Sequence, residues 1–194
     1  EWLDKEPMRM EEVNAVPIYP VNMWRAVQEW MVVGPFSIGE IDTQYLPDNP
    51  EKANANLLKM FGPEQGYQND AVDENGLKWR PAQCDSNGLL NHNALLGTQD
   101  LAIAYNSVAV YTKEAQQTHV LLYADNFAQL YLNGELQEGA QAFHAPGGFV
   151  YVPVALTAGW NTIVVKVINN RGDWFLRCLI ADPENNLTFS DNNK

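Results

Sequence analysis

The sequence predicts an all-β protein: an antiparallel β-sandwich of jelly-roll type with an N-terminal extension and one short helix. Three observations carry that prediction. Asn133-Gly134 lies between alternating apolar runs, and these two residue types tolerate the positive φ that a tight hairpin matching the strand twist requires. Val150, Val152 and Val154, then Ile163, Val165 and Val167, repeat with the two-residue period of a strand that buries one face. Trp174, Leu176, Cys178 and Ile180 alternate with Phe175, Arg177 and Leu179 up to the Asp182-Pro183 break, which defines a last strand.

In chain order, residues 1–22 mix charge, proline and isolated hydrophobes, and Pro17 and Pro20 hold Ile18-Tyr19 extended, so this segment reads as a strap lying on the domain. Trp24, Val27 and Met31 recur at helical spacing and predict a short helix over 24–30, after which residues 31–36 open the sandwich. Residues 48–62 form the strongest helical pattern. Asn49 can cap, Pro50 fits the first turn, Ala53, Leu57 and Phe61 lie four apart, and Gly62 stops the helix. Residues 63–76 are polar and turn-rich, residues 78–82 return to extended structure, and residues 85–93 read as an Asn/Gly loop carrying His92. Residues 101–112 are strongly β, with Ile103 and Tyr105 on one face and Ala102 and Ala104 on the other, and residues 113–117 make the next turn. Strands over 128–132 and from Glu135 flank the hairpin. About eight strands with polar connections fit a jelly roll. The organisation expected is an extension over 1–29, a sandwich over 30–186 and a tail over 187–194, a length suited to one core.

Charge and cysteine usage narrow the function. With 24 acidic against 12 basic residues the net charge is -12, and no Lys/Arg cluster offers a footprint for nucleic acid or an anionic membrane. The acidic excess sits largely in loops such as residues 64–74, a solvated surface. No apolar run is long enough to cross a bilayer, and the first residues lack a signal-peptide pattern, so location must come from other features. Cys84 and Cys178 have no metal-ligand spacing. Two readings stay open for them, a single bridge or, for Cys178, a small buried hydrophobe.

The ordered motifs Asp125-Asn126, Asn133-Gly134 and Gly159-Trp160-Asn161, with residues 105–111 before them and the apolar strand 163–167 after them, resemble the galactose-binding-like β-sandwich domains attached to bacterial glycoside hydrolases. Residues 30–36 and 78–82 are similar to the opening strands of such modules, so the resemblance runs from about residue 30 to 182. It implies a non-catalytic carbohydrate-binding or accessory module of a secreted bacterial polysaccharide-processing system, periplasmic or extracellular. The motifs that carry it build turns and core, so it brings no ligand residues with it.

Carbohydrate binding needs flat apolar rings for the C–H faces of a sugar and planar hydrogen-bonding groups for its hydroxyls. The six Trp and eight Tyr, with many Asn, supply both. Trp30, Trp160 and Trp174 fall in strand or turn patterns and read as core. Trp79 and Arg80, leaving a polar loop, and Asn170, Arg171 and Asp173, in the most hydrogen-bond-rich loop of the sandwich, are the candidate carbohydrate-binding residues. No catalytic residue and no cofactor is expected. Calcium is the one ion for which Asp125-Asn126 and Asp42 offer oxygen donors, although no Asp-x-Asp-x-Asp loop demands it. His92, His119 and His144 are scattered and read as ordinary. Two other classes stay open: a structural or protein-interaction domain packing against a catalytic partner, and a small glycoside hydrolase using Glu40 and Asp42. The expected partner is thus a carbohydrate or a glycoside hydrolase domain.

Overall fold

The computed structural model describes residues 19–39, 61–68, 76–137, 142–143 and 149–190. Two antiparallel sheets face each other. The five-stranded sheet runs β1 (Trp24–Ala26), β12 (Phe175–Ala181), β6 (Gln116–Asp125), β10 (Val150–Leu156), with β4 (Leu89–Asn91) also paired to β12. The eight-stranded sheet runs β3 (Arg80–Gln83), β2 (Glu29–Ser37), β5 (Ala102–Thr112), β11 (Gly159–Asn169), β7 (Phe127–Leu132), β8 (Glu135–Leu136). There β13 (Thr188–Ser190) also pairs with β5, and β9 (Ala142–Phe143) with β7. The all-β sandwich expected from the two-residue period is what forms.

Alternation decides which side chains enter the core. Ala104, Val108 and Val110 of β5 and Ile163, Val165 and Val167 of β11 form one wall. Val120 and Leu122 of β6, Val152 and Val154 of β10, and Leu176, Cys178 and Ile180 of β12 form the other, with Trp30 and Trp174 buried in the same cluster. A second apolar cluster lies on the outer face of the eight-stranded sheet, where Val33, Phe36, Ile103, Tyr105, Tyr131, Val164 and Ile168 are covered by Phe61, Leu77 and Trp79. The split of Ile103 and Tyr105 from Ala102 and Ala104 follows the predicted faces.

Two of the three sequence motifs bond to each other, and the third closes the opposite sandwich end. Asn133 (φ 51) and Gly134 (φ 84) form the hairpin turn between β7 and β8. The Asn133 Oδ1 accepts the Thr162 N–H at 2.8 Å, and its Nδ2 donates to Asn161 Oδ1 at 3.1 Å. Asn161, buried, also accepts the Thr157 N–H at 2.9 Å and donates to Thr157 O at 2.8 Å, closing the turn between β10 and β11. At the other sandwich end, Asn126 Oδ1 accepts the N–H groups of Asn170 (2.6 Å) and Arg171 (3.2 Å). Each motif satisfies backbone or amide groups that would otherwise lose hydrogen bonds on leaving water.

Two expected elements differ. The helix over 24–30 is absent: a 3-10 turn (Val21–Met23) leads into β1, and β2 begins at Glu29. The backbone groups that β12 offers along its edge outweigh a weak helical spacing, and Trp24 stands outward as a strand residue. The loop over 85–93 instead contains β4 and the start of a short helix, α1 (His92–Leu96). Asn91 caps α1, its Oδ1 accepting the Ala94 N–H at 3.0 Å, so an amide read as loop polarity is a helix start. The helix predicted over 48–62 falls outside the described residues up to Phe61, as do Glu40, Asp42 and His144. The strands β1 and β13 arise from segments read as extension and tail.

Candidate functional site

The outward face of the five-stranded sheet is the most unusual surface of the molecule. On a solvated sheet the residues between core positions are usually polar. Here His119, Leu121 and Tyr123 stand outward on β6, Phe175, Arg177 and Leu179 on β12, and Tyr151 and Pro153 on β10, each alternating with a buried residue. The pairing arranges them in rows. Leu89, Arg177 and Tyr123 lie opposite one another across β4, β12 and β6, and Ala26, Leu179, Leu121 and Tyr151 across β1, β12, β6 and β10.

Rings in these rows touch. Tyr19 meets Trp24 and His119 with centroids 5.5 Å apart in each case, Trp24 meets Tyr151 at 5.7 Å, and His119 lies 4.7 Å from Tyr151. A second group joins Tyr123 to Phe149 at 5.2 Å and to Phe175 at 5.1 Å. Phe149 is 48% exposed, while the other rings shield each other and stay half-buried. Ring pairs at these separations are attractive beyond the area they bury.

Polar groups are set among the rings. The Tyr19 hydroxyl lies 3.1 Å from His119 Nδ1. Burial holds His119 below the ordinary imidazole value of 6.5, so it is neutral at neutral pH, with one ring nitrogen to donate and one to accept. Burial likewise raises the Tyr151 phenol, which stays protonated and able to donate. At one end of the face, beside Phe175, stands the loop that carries Asn170, Arg171 and Asp173. Asp100 Oδ1 accepts the Gly172 N–H at 3.2 Å, and Asn93 Nδ2 donates to Gly172 O at 3.0 Å. Arg171 and Asp173 are exposed, and the Arg171 guanidinium lies 4.0 Å from Asp100.

The five candidate residues from the sequence separate into two places. Trp79 is half-buried against the outer cluster of the eight-stranded sheet, its ring 6.1 Å from Tyr67, and Arg80 donates to Gly34 O at 3.4 Å. Arg80 pairs with Val32, Val32 with Asn106 and Asn106 with Val165, whereas Asn169 and the loop after it lie four residues further along β11. Three strand spacings and four residues put Arg80 and that loop roughly 14 Å apart across the sheet and about 13 Å along it. Sequence reasoning does not find the aromatic face. Its signal is present in the outward set Phe175, Arg177 and Leu179, which is largely apolar where a solvated strand would be polar. The other members, Tyr19, Trp24 and Tyr151, meet only through pairings between strands far apart in sequence.

Other candidates from the sequence hold structural positions. Asn126 Oδ1 accepts two backbone N–H groups and its Nδ2 donates to Asp125 Oδ1, all within the protein. Among the described residues no group of three or more His, Cys, Asp or Glu side chains is arranged to hold a metal. Cys84 and Cys178 are both free, and Cys178 is a core residue. Cys84 donates to Val27 O at 3.4 Å, and burial pushes its thiol up to about 11. His92 is fully buried: its Nε2 lies 2.8 Å from Asn106 Oδ1, and since Asn106 Nδ2 donates to Val165 O, His92 is the donor and its Nδ1 has no partner among the described residues.

Fold and face together define a β-sandwich module with an aromatic sheet surface. No protein-family model matches the chain, and no curated protein matches it in sequence. Among solved structures it is similar to a family 35 carbohydrate binding module from an environmental isolate, at 13% identity and a TM-score of 0.36, over 50% of this chain and 83% of that one. It is also similar to a β-glucuronidase from Ruminococcus gnavus (15% identity, TM-score 0.45, 86% of this chain and 32% of that one). A third is the epithelial adhesin 9 A domain from Candida glabrata in complex with Galb1-3GlcNAc, at 11% identity and a TM-score of 0.44, over 91% of this chain and 95% of that one. The chain thus spans about a third of the length of that glucuronidase. Among the described residues no helix is long and apolar enough to cross a membrane.

Proposed function

We propose that this protein is a non-catalytic carbohydrate-binding module of a secreted or periplasmic bacterial polysaccharide-processing system, and that it holds sugar rings on the outward face of its five-stranded sheet. The observation that carries this reading is the pair of ring groups on that face: touching, half-buried rings from Tyr19 through Trp24 and His119 to Tyr151, and a second group in which Tyr123 touches Phe175 and the exposed Phe149. Rings already packed on one another offer apolar area to the C–H faces of a pyranose with less side-chain freedom left to lose on binding, which reduces the entropic cost. Phenol, imidazole and loop amide groups at the margins supply hydroxyl recognition. The surface is open, so affinity for a single site is weak.

The non-catalytic part of the reading is supported by how two of the three buried carboxylates among the described residues are used. Glu64 accepts from the Tyr105 hydroxyl at 2.7 Å and from the N–H of Gly62 at 2.8 Å, and Asp182 accepts from Arg25 at 2.6 Å and from the Asn186 N–H at 2.9 Å. Both hold the fold together. A calorimetric titration with a panel of plant and bacterial oligosaccharides tests the proposal. Saturable binding that weakens about ten-fold in Tyr151→Ala and is kept in Trp79→Ala supports it, and binding that is unweakened in both Tyr151→Ala and Trp24→Ala contradicts it.

The protein-interaction alternative has one observation in its favour. Tyr111 and Trp160, 37% and 41% exposed with centroids 5.3 Å apart, form a second ring pair on the outer face of the eight-stranded sheet. Their setting suits a flat contact with a neighbouring domain, and both functions are compatible with one sandwich.

A further inference from the structure

The aromatic face contains a guanidinium that forms no direct ion pair among the described residues. Arg177 sits outward in the middle of β12, opposite Leu89 on one side and Tyr123 on the other. Its Nε is buried and has no hydrogen-bond partner among the described residues. Among the described residues Arg177 forms no ion pair, whereas Arg25 is paired with Asp182, Arg171 lies by Asp100, and Arg80 donates to Gly34 O. Asp85, exposed at the rim, is an acidic group whose charge reaches it, but the two make no direct contact, and Asp85 Oδ1 accepts the N–H groups of Asn87 (2.8 Å) and Leu89 (2.9 Å).

Scarcity of acids does not explain this. The chain carries 24 acidic residues against 12 basic ones, so a single arginine could have been matched many times over. A guanidinium partly withdrawn from water and left unpaired costs free energy, and that cost is recovered when an anion arrives. The planar fork of the guanidinium fits a carboxylate or a sulfate through two parallel hydrogen bonds. Flanking rings at Tyr123, Phe149 and Phe175 place an apolar surface beside the charge, which suits a sugar ring bearing an acidic substituent and not a free inorganic ion.

We infer that the face takes an anionic glycan, with Arg177 as the residue that reads a carboxylate or sulfate on the sugar. This deepens the proposal above and rests on it. A plain alternative, in which the Arg177 stem merely covers apolar surface, predicts no preference for charged ligands.

The test is calorimetry on the full chain with three probes: a neutral xylo-oligosaccharide, the same oligosaccharide bearing one glucuronate, and the same oligosaccharide bearing one sulfate ester. The expected result is that at least one acidic probe binds about ten-fold or more tightly than the neutral one, that the advantage shrinks as salt is raised, and that in Arg177→Gln the acidic and neutral probes bind alike. Which acidic probe gains identifies the source of the charge. Arg177→Lys keeps a point charge without the fork and is expected to retain only part of the preference. Equal affinity for all three probes, or a preference that survives Arg177→Gln, overturns the anion inference and leaves the carbohydrate reading standing. Absence of binding to all three, together with binding of an acidic protein segment, overturns both. The salt dependence is measured on the unaltered protein, so the outcome does not hang on any variant folding.

Discussion

The two outward faces of this sandwich are both aromatic and meet different fates. On the eight-stranded sheet, Phe36, Tyr105, Phe127 and Tyr131 are buried, with Phe61, Leu77 and Trp79 packed over them. Gly66 (φ +91) allows the close approach of its segment, since a Cβ there would collide with Thr162 Cγ2, and Tyr67 donates its N–H to Ser107 Oγ at 3.0 Å. On the five-stranded sheet, Trp24, His119, Tyr123 and Tyr151 pack on neighbouring rings of the same face and stay half-buried. An apolar outward strand face therefore has two meanings, a layer that the chain covers itself or a surface left for something else. Exposure separates them, and sequence alternation alone does not.

The covered face also holds charge. Glu64, 1% exposed, accepts from the Tyr105 hydroxyl and the N–H groups of Phe61 and Gly62, and Lys166, fully buried, lies 5.9 Å from the Tyr105 ring. Burial lowers the Lys166 amine to about 8, partly offset by the Glu64 charge. Glu64→Ala breaks this network and should have the largest effect on stability. Three donors lose their acceptor and a buried lysine loses its counter-charge, a loss of about 3 kcal/mol or more, read as a fall of about 10 °C in Tm. An unchanged Tm would remove the distinction drawn between the two faces.

The next effect is a pH dependence of the interior. His92 is held down to about 4, from an ordinary 6.5, chiefly by burial, with its hydrogen bond to Asn106 opposing. The unfolded chain binds a proton there between pH 6.5 and 4 and the folded chain does not, so stability falls as pH drops through that window. The contribution lost is about 3 kcal/mol, and His92→Phe should flatten that part of a urea-denaturation series against pH. A slope unaltered by the substitution would show that another group titrates.

On the open face the effect shifts from stability to binding. Trp24→Ala and Tyr151→Ala should each weaken oligosaccharide binding about ten-fold, roughly 1.4 kcal/mol, with far smaller changes in Tm than Phe36→Ala, whose ring is buried and whose loss costs about 3–5 kcal/mol. Calorimetry and thermal melts on the three variants sharpen the contrast, and a large stability loss without a binding loss in Tyr151→Ala would reverse it. The smallest effect belongs to Arg171→Ala. Its side chain is 85% exposed and 4.0 Å from Asp100, so stability should move by less than about 0.5 kcal/mol and affinity by under about three-fold.

Most of the sandwich is legible in the sequence because its strands are long and alternate cleanly. Residues 150–154, 163–167 and 174–180 show both the strands and their buried faces, and Asn133-Gly134 fixes the hairpin. Short elements are harder: β1 forms because β12 offers an edge, which no local pattern announces, and α1 hides behind a capping Asn91 that looks like loop. The site is legible only in part. The loop carrying Asn170, Arg171 and Asp173 does stand at one end of the proposed face, but Trp79 is drawn into the covered cluster by Tyr67 and its neighbours. Tyr19, Trp24, His119 and Tyr151 belong together only through the order β1-β12-β6-β10, a long-range arrangement that single residues cannot reveal.

An NMR titration of the isotope-labelled protein with the oligosaccharide that binds best asks most directly whether the five-stranded sheet is the binding surface. Saturable shifts clustered at His119, Leu121, Tyr123, Tyr151 and Arg177 are expected, with Ser107, Val164 and Trp79 unmoved. Shifts centred on Trp79 or on the Tyr111–Trp160 pair, with the five-stranded sheet silent, would contradict it.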